Sequence, residues 1–170
     1  MRAVAIRSAT EADLDRIAEI RTRSWQAAYR GILDDDTLDS LDVGEEAERW
    51  RGFWPEFPRN GSTLLVATVS RRIVGYALIR EQSRDDTPGE GVGELIAIYL
   101  DPDAWGGGAG QALLDSAVSV LQRSGCRGAV LWTFSANDRA RRFYERNGWA
   151  RDGAEDEYAG QPEVRYRIDW

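Results

Sequence analysis

The amino-acid sequence predicts an α+β fold, mixed α/β in one layer-on-sheet domain spanning residues 1–170, and three observations carry that reading. Apolar residues recur at helical spacing through much of the N-terminal third. Two β-rich runs, Thr63–Ser70 and Ile73–Glu81, are separated only by Arg71-Arg72, a hairpin by length. A third run, Leu95–Leu100, gives way to Gly106-Gly107-Gly108-Ala109-Gly110 and then to a helical pattern. At 170 residues the chain is long enough to bury a core without disulfides.

The elements follow in order. Val4 to Arg7 reads as a short strand leaving through Ser8-Ala9-Thr10. Thr10 to Asp13 fits an N-cap with an acid three residues on, and Leu14, Ile17, Ala18, Ile20, Trp25 and Ala28 mark an amphipathic helix that Gly31 is placed to cap. Asp34-Asp35-Asp36 opens a second short helix, because acids suit a helix N-terminus. A third covers Glu45 to Phe53, with Pro55 and Pro58 expected to break it. After the hairpin, Gln82 to Gly91 reads as a mobile polar loop. Leu95–Leu100 suits a strand buried on both faces, stopped by Asp101-Pro102-Asp103. Leu113, Leu114, Ala117, Val118 and Leu121 mark the helix after the glycines. Ala129–Thr133 is a buried strand, and Ser135 with Asp138 resembles a capping box for a helix ending at Gly148. Ala150–Tyr158 and Val164–Asp169, linked through Gly160-Gln161-Pro162, close the chain as a strand pair.

Composition narrows the chemistry. A net charge of −7 argues against nucleic acid as a partner and is compatible with a cationic small molecule or a basic peptide. No apolar run approaches the roughly 20 residues of a membrane span. The N-terminus lacks the apolar core of a signal peptide, so a cytoplasmic location is expected. There is no histidine, which removes imidazole as base or metal ligand, and no metal site is expected. All 22 basic residues are arginine, which removes lysine Schiff-base chemistry and the P-loop lysine. Cys126, the one cysteine, lies just ahead of a buried strand and reads as core filler.

Where a strand gives way to a helix N-terminus, bare backbone makes a ready site for phosphate. The glycines do not form a dinucleotide fingerprint, because the last position of G-x-G-x-x-G falls on Gln111 or on Leu113. They form G-x-G-x-G at Gly106, Gly108 and Gly110 instead, which suits an extended diphosphate and also suits a flexible β-to-α connection.

The segment from Glu94 to Leu114, E-L-I-A-I-Y-L-D-P-D-A-W-G-G-G-A-G-Q-A-L-L, resembles the acetyl-coenzyme A motif of the GNAT superfamily of N-acetyltransferases. Leu131-Trp132-Thr133 with Asn137, Ala140, Phe143, Tyr144, Gly148 and Trp149 resembles the second signature of that family. Ile6-Arg7, Ala9-Thr10 and Asp13 resemble its first strand and helix, and Trp25, Ala28, Tyr29 and Gly31 resemble one of its branches. The resemblance covers nearly the whole chain. It implies a GNAT fold, with a central, mostly antiparallel seven-stranded sheet splayed between strands four and five and flanked by helices. It also implies transfer of acetyl from acetyl-CoA to a primary amine by direct attack in a ternary complex, in a monomer or homodimer.

The resemblance implies roles as well. The backbone of Gly106, Gly107, Gly108, Ala109, Gly110 and Gln111 would hold the coenzyme pyrophosphate, with Trp105 beside them. Ile98, Tyr99 and Leu100 would carry the pantetheine arm, with an amide near Ile98 as oxyanion donor. Glu94 would be the general base and Tyr144 the general acid; their bland alternatives are a solvated strand-start carboxylate and a core aromatic. Asn137 would contact the coenzyme or cap its helix. Trp25 and Tyr29 would line the acceptor pocket, a small amine or a peptide N-terminus being the acceptor. Trp105 and Gly107 stand where the family usually keeps a polar or basic residue, so a loop cation would have to come from the next helix, Arg141 among the candidates. A catalytically silent acyl-CoA-binding domain is the rival reading.

Overall fold

The computed structural model describes residues 3–85 and 88–170. Its strands are β1 (Val4–Ser8), β2 (Ser62–Val69), β3 (Arg72–Arg80), β4 (Val92–Leu100), β5 (Gly128–Phe134), β6 (Ala150–Tyr158) and β7 (Gln161–Asp169). They form one seven-stranded sheet in the order β1-β2-β3-β4-β5-β7-β6. Every neighbouring pair is antiparallel except β4 and β5. The helices are α1 (Leu14–Ala28), α2 (Asp35–Asp39), α3 (Val43–Phe53), α4 (Ala109–Arg123) and α5 (Asp138–Arg146). The apolar side of α4 (Leu113, Leu114, Ala117, Leu121) packs with Tyr144 of α5 on one face of the sheet. Leu14, Ile17 and Ile20 of α1 pack with Trp50 of α3 on the other. None of the described helices is long and apolar enough to cross a membrane.

The expected fold class stands, and the differences are local. The first hairpin turns on Ser70-Arg71, at φ 50° and 66°, and Arg72 already belongs to β3. A two-residue turn that follows the twist of its strands needs positive φ at both positions. Ala159-Gly160 does the same at φ 51° and 74°, so Gln161 pairs with Tyr158 as the first residue of β7. Pro55 does not break α3 outright; the chain runs on as a 3₁₀ turn over Trp54–Glu56, whose first positions need no N–H donor. Helix α1 closes at Tyr29, whose N–H donates to the Trp25 carbonyl, and Gly31 takes φ 80° two residues later. Ser135 does not cap α5, and its N–H, which a capping box would give to Asp138, donates to the Pro162 carbonyl instead. Asn137 caps instead, its Oδ1 accepting the Ala140 N–H at 3.2 Å. The polar loop expected over 82–91 falls partly on residues 86–87, outside the described residues.

Two features of β4 position everything that follows. Its parallel pairing with β5 covers only Val92–Glu94 against Gly128–Val130. Beyond that seam the strands part, and residues 95–100 keep β3 on one side with an open edge on the other. The second feature is a bulge. Leu78 pairs with Ala97 and Ile79 with Leu95, so Ile96 is an extra residue in β4. One inserted residue reverses which side chains share a face. Leu95 therefore lies with Ile98 and Leu100 under α4, while Ala97 and Tyr99 face α1 and α3. Glu94 alternates with Leu95, so the bulge puts its carboxylate on the side of Tyr99. An unbroken strand would put Glu94 on the face of Ile98.

Candidate active site

The parted strands open a cleft of about 1160 Å³ that runs through the sheet, from the glycine stretch on one side to the aromatic residues of α1 on the other. Its loop end is built from the strand–helix joint. Asp101 ends β4 buried, its Oδ1 accepting the Asp103 N–H at 3.1 Å and its Oδ2 accepting Arg16 at 2.6 Å and Arg23 at 3.2 Å. Burial works to raise the Asp101 pKa, but the Arg16 hydrogen bond, the Asp103 amide and both guanidinium charges leave it below the ordinary carboxylate value. The chain then turns on Gly106 and Gly108, at φ 78° and 86°, where a side chain would be strained. Gly110 meets the wall closely: a Cβ there would stand 3.2 Å from Leu100. Helix α4 begins at Ala109, and its leading amides lie at the positive end of a 15-residue helix dipole.

On the opposite wall Glu94 is nearly sealed, its side chain 3% exposed. Arg84, from the loop after β3, grips it: Nη2 donates to Oε1 at 2.9 Å, Nε to Oε2 at 3.3 Å, and the Arg84 backbone N–H to Oε2 at 3.1 Å. Glu94 is not the solvated strand-start carboxylate of the bland alternative, because β4 begins at Val92 and already pairs with β5 at Glu94. Tyr144 is buried between Phe143 and Trp149 and also lines the cleft. Burial, with the nearby Tyr99, pushes its phenol well above the ordinary tyrosine value, so it holds its proton firmly. Tyr99 and Tyr29 meet hydroxyl to hydroxyl at 3.1 Å, and Trp25 packs edge-on against Tyr29.

With that geometry in view, the likenesses to known proteins are specific. Residues 14–149 match the profile of the Acetyltransferase (GNAT) family. The chain belongs to the GNAT acetyltransferase family. It is 30% identical over 139 residues to the N-acetyltransferase YuaI of Bacillus subtilis, itself uncharacterized, covering 79% of this chain and 73% of that one. It is 31% identical over 149 residues to the mycothiol acetyltransferase of Actinosynnema mirum, covering 86% of this chain but 44% of that protein. The chain thus spans less than half the length of that relative. In fold it resembles the PaiA N-acetyltransferase of Thermoplasma acidophilum, solved in complex with coenzyme A, with a TM-score of 0.81 over 99% of both chains at 20% identity. The family it belongs to is one of acetyltransferases, and it is the PaiA neighbour that holds coenzyme A.

Within this GNAT chain the remaining expected site residues divide. Ile98, Tyr99, Leu100, Trp105, Gly106, Gly108, Gly110, Gln111 and Asn137 line the same cleft as Glu94 and Tyr144, as do Trp25 and Tyr29. Gly107 and Ala109 complete the turn behind that lining. Gln111 reaches Asp115 at 2.8 Å and Asn147 at 2.6 Å. Arg141 turns away, donating to the Tyr166 hydroxyl at 3.2 Å and the Ser135 carbonyl at 2.9 Å. Arg139 is the α5 cation beside the loop, its guanidinium 4.0 Å over the Trp105 ring. The sequence carried a signal for that pair, since an aromatic stands where the family usually keeps a polar or basic residue and four arginines follow on the next helix. It carried none for Arg84.

Proposed function

We propose that this enzyme acetylates a primary amine by direct attack in a ternary complex, with Glu94 as base and Tyr144 as acid. The observation that carries the reading is the through-cleft itself, which brings a buried carboxylate on β4 and a firmly protonated phenol on α5 to the lining of one space. The open edge of β4 offers Ile98 and Leu100 backbone groups to the amides of the pantetheine arm. The leading amides of α4, with Arg139 held on Trp105, suit the pyrophosphate. The amine nitrogen bonds to the thioester carbonyl carbon as the carbon–sulfur bond breaks. The amine proton passes to Glu94, directly or through water, and the Tyr144 hydroxyl protonates the departing thiolate before regaining a proton from solvent.

Free-thiol release from acetyl-CoA, followed across a panel of small amines and peptide N-termini, tests the reading. Glu94→Gln and Tyr144→Phe are each expected to lower kcat by about 100-fold or more while coenzyme binding persists. One observation favours the silent-domain alternative: the Arg84 side chain occupies both oxygens of the proposed base. A wild-type protein that binds acetyl-CoA but releases thiol with no amine would decide for that alternative.

A further inference from the structure

The charged residues that line the cleft are mostly neutralised in place. Glu46 pairs with Arg21 at 3.2 Å and Arg49 at 3.3 Å, Asp85 with Arg165 at 3.1 Å, and Glu94 with Arg84. Two acids are different. Asp156 and Glu163 line the acceptor arm and stand directly opposite each other in the β6–β7 register. Neither has an ion-pair partner among the described residues; Asp156 accepts only the N–H of its neighbour Glu157, at 2.8 Å. Like charges facing across a strand pair are destabilising, and Glu163 is half-buried as well. Burial first, and the Asp156 charge second, hold its carboxyl above the ordinary value.

Aromatic rings surround this pair. Phe134 is the register partner of Glu163 on β5, and Tyr158 follows Asp156 on the same face of β6. The Trp25 ring stands edge-on to Tyr158 at 6.2 Å, and Phe134 lies 6.2 Å from Tyr158. Trp25 is nine-tenths buried and lines this arm; the Arg21 guanidinium stands 4.0 Å over its ring, and its Nε1–H has no hydrogen-bond partner among the described residues. An indole N–H so deeply placed calls for an acceptor atom, or a water, brought by an occupant of the cleft. A negative pair walled by ring faces is the chemistry that receives an ammonium or guanidinium group.

We propose that Asp156 and Glu163, with the rings of Tyr158 and Phe134, bind a second positively charged group of the acceptor, so that the substrate is a small amine with at least two cationic centres. The proposal rests on the acetyltransferase reading and names the substrate class of that same site. Removing the acids relieves the like-charge opposition on an exposed hairpin, so the Asp156→Asn, Glu163→Gln double variant is expected to melt no lower than the parent. Calorimetric titration of butane-1,4-diamine and of n-butylamine into the coenzyme-A complex tests binding without turnover. The parent is expected to bind the diamine about tenfold more tightly or better, and the double variant to bind the two within about twofold. Equal binding by the parent, or a preference that survives in the variant, overturns the proposal. Thiol release from acetyl-CoA, measured alongside, separates the two readings. Acid-dependent diamine binding with no thiol release sinks the acetyltransferase reading and leaves the cationic site. Thiol release at equal kcat/KM for both amines does the reverse.

Discussion

Tyr144 and Asp13 show how differently a single titrating side chain enters function and stability. Burial holds the Tyr144 phenol above its ordinary value near 10. The proton a departing thiolate needs is therefore in place throughout the usual assay range. The pH–rate profile is expected to show no basic limb from this residue below about pH 10, and a limb near neutrality that Tyr144→Phe removes would contradict the assignment. Asp13 works on stability. The Arg7 side chain donates to its two oxygens at 2.7 and 3.0 Å, and the Thr10 N–H donates at 2.8 Å. The Arg7 hydrogen bonds lead, burial opposes them, and the carboxyl falls to about 2. A depressed acid contributes stability that is full above its unfolded pKa, near 4, and is lost as pH falls through 2. Arg7 is about half exposed, so solvent screens the pair to on the order of 1 kcal/mol. Asp13→Ala should lower the unfolding free energy from urea titration by that amount at pH 6, and the gap should close between about pH 4 and pH 2.

At the scale of elements the joint between β4 and α4 is held by charged side chains. Asp101 ties the end of β4 to α1 through Arg16 and Arg23, and so fixes where the glycine turn starts. Asp101→Asn removes the charge that both guanidinium groups share while keeping the side-chain shape. A loss of about 2 kcal/mol in a urea titration is expected, below the cost of breaking a fully buried pair because Arg23 is partly exposed. The loop should loosen with it, so the KM for acetyl-CoA should rise more than kcat falls; a lower kcat at unchanged KM would show that Asp101 does not position the loop. Arg84 is the counterpart on the other wall. Arg84→Ala leaves the Glu94 carboxylate sealed and unpaired, and about 2 kcal/mol of stability should go with it. Equal urea midpoints for Arg84→Ala and its parent would show that the pair is not needed to hold Glu94. Helices and strands were legible in the residues because apolar spacing and the Gly, Pro and Asp punctuation agree almost everywhere. Pairing was not legible. The bulge at Ile96 is a mismatch between two strands, the Arg84 grip depends on a loop folding back ten residues, and Asp156 meets Glu163 only because Ala159-Gly160 sets the register. None of these is a property of one segment, so no local pattern records them.

Across the whole molecule the sheet behaves as two sheets sharing a seam. Strands β1 to β4 form one antiparallel unit, β5, β7 and β6 form another, and the short pairing at Val92–Glu94 joins them by backbone, with the Arg127 N–H donating to the Gly91 carbonyl beside it. The proposed base sits in that seam, and the acid sits on α5, on the far side of the opening. Their separation is therefore set by how widely the two units part, and whatever fills the gap sets it. A pantetheine arm paired with the open edge of β4 would act as an added strand, bridging the units where the backbone does not. Coenzyme A at 100 times its Kd is expected to stabilise the fold by about 2.7 kcal/mol, as any ligand of the native state would. Bridging of the two units also fixes where protection must appear. Amides of residues 96–100 on the open side of β4 should exchange with solvent quickly in the free protein and slow markedly with coenzyme A, while the β2–β3 ladder changes little. Protection spread evenly over both units would mean that the coenzyme stabilises the fold without bridging the sheet. In that case the distance between Glu94 and Tyr144 would have to be set by the protein alone.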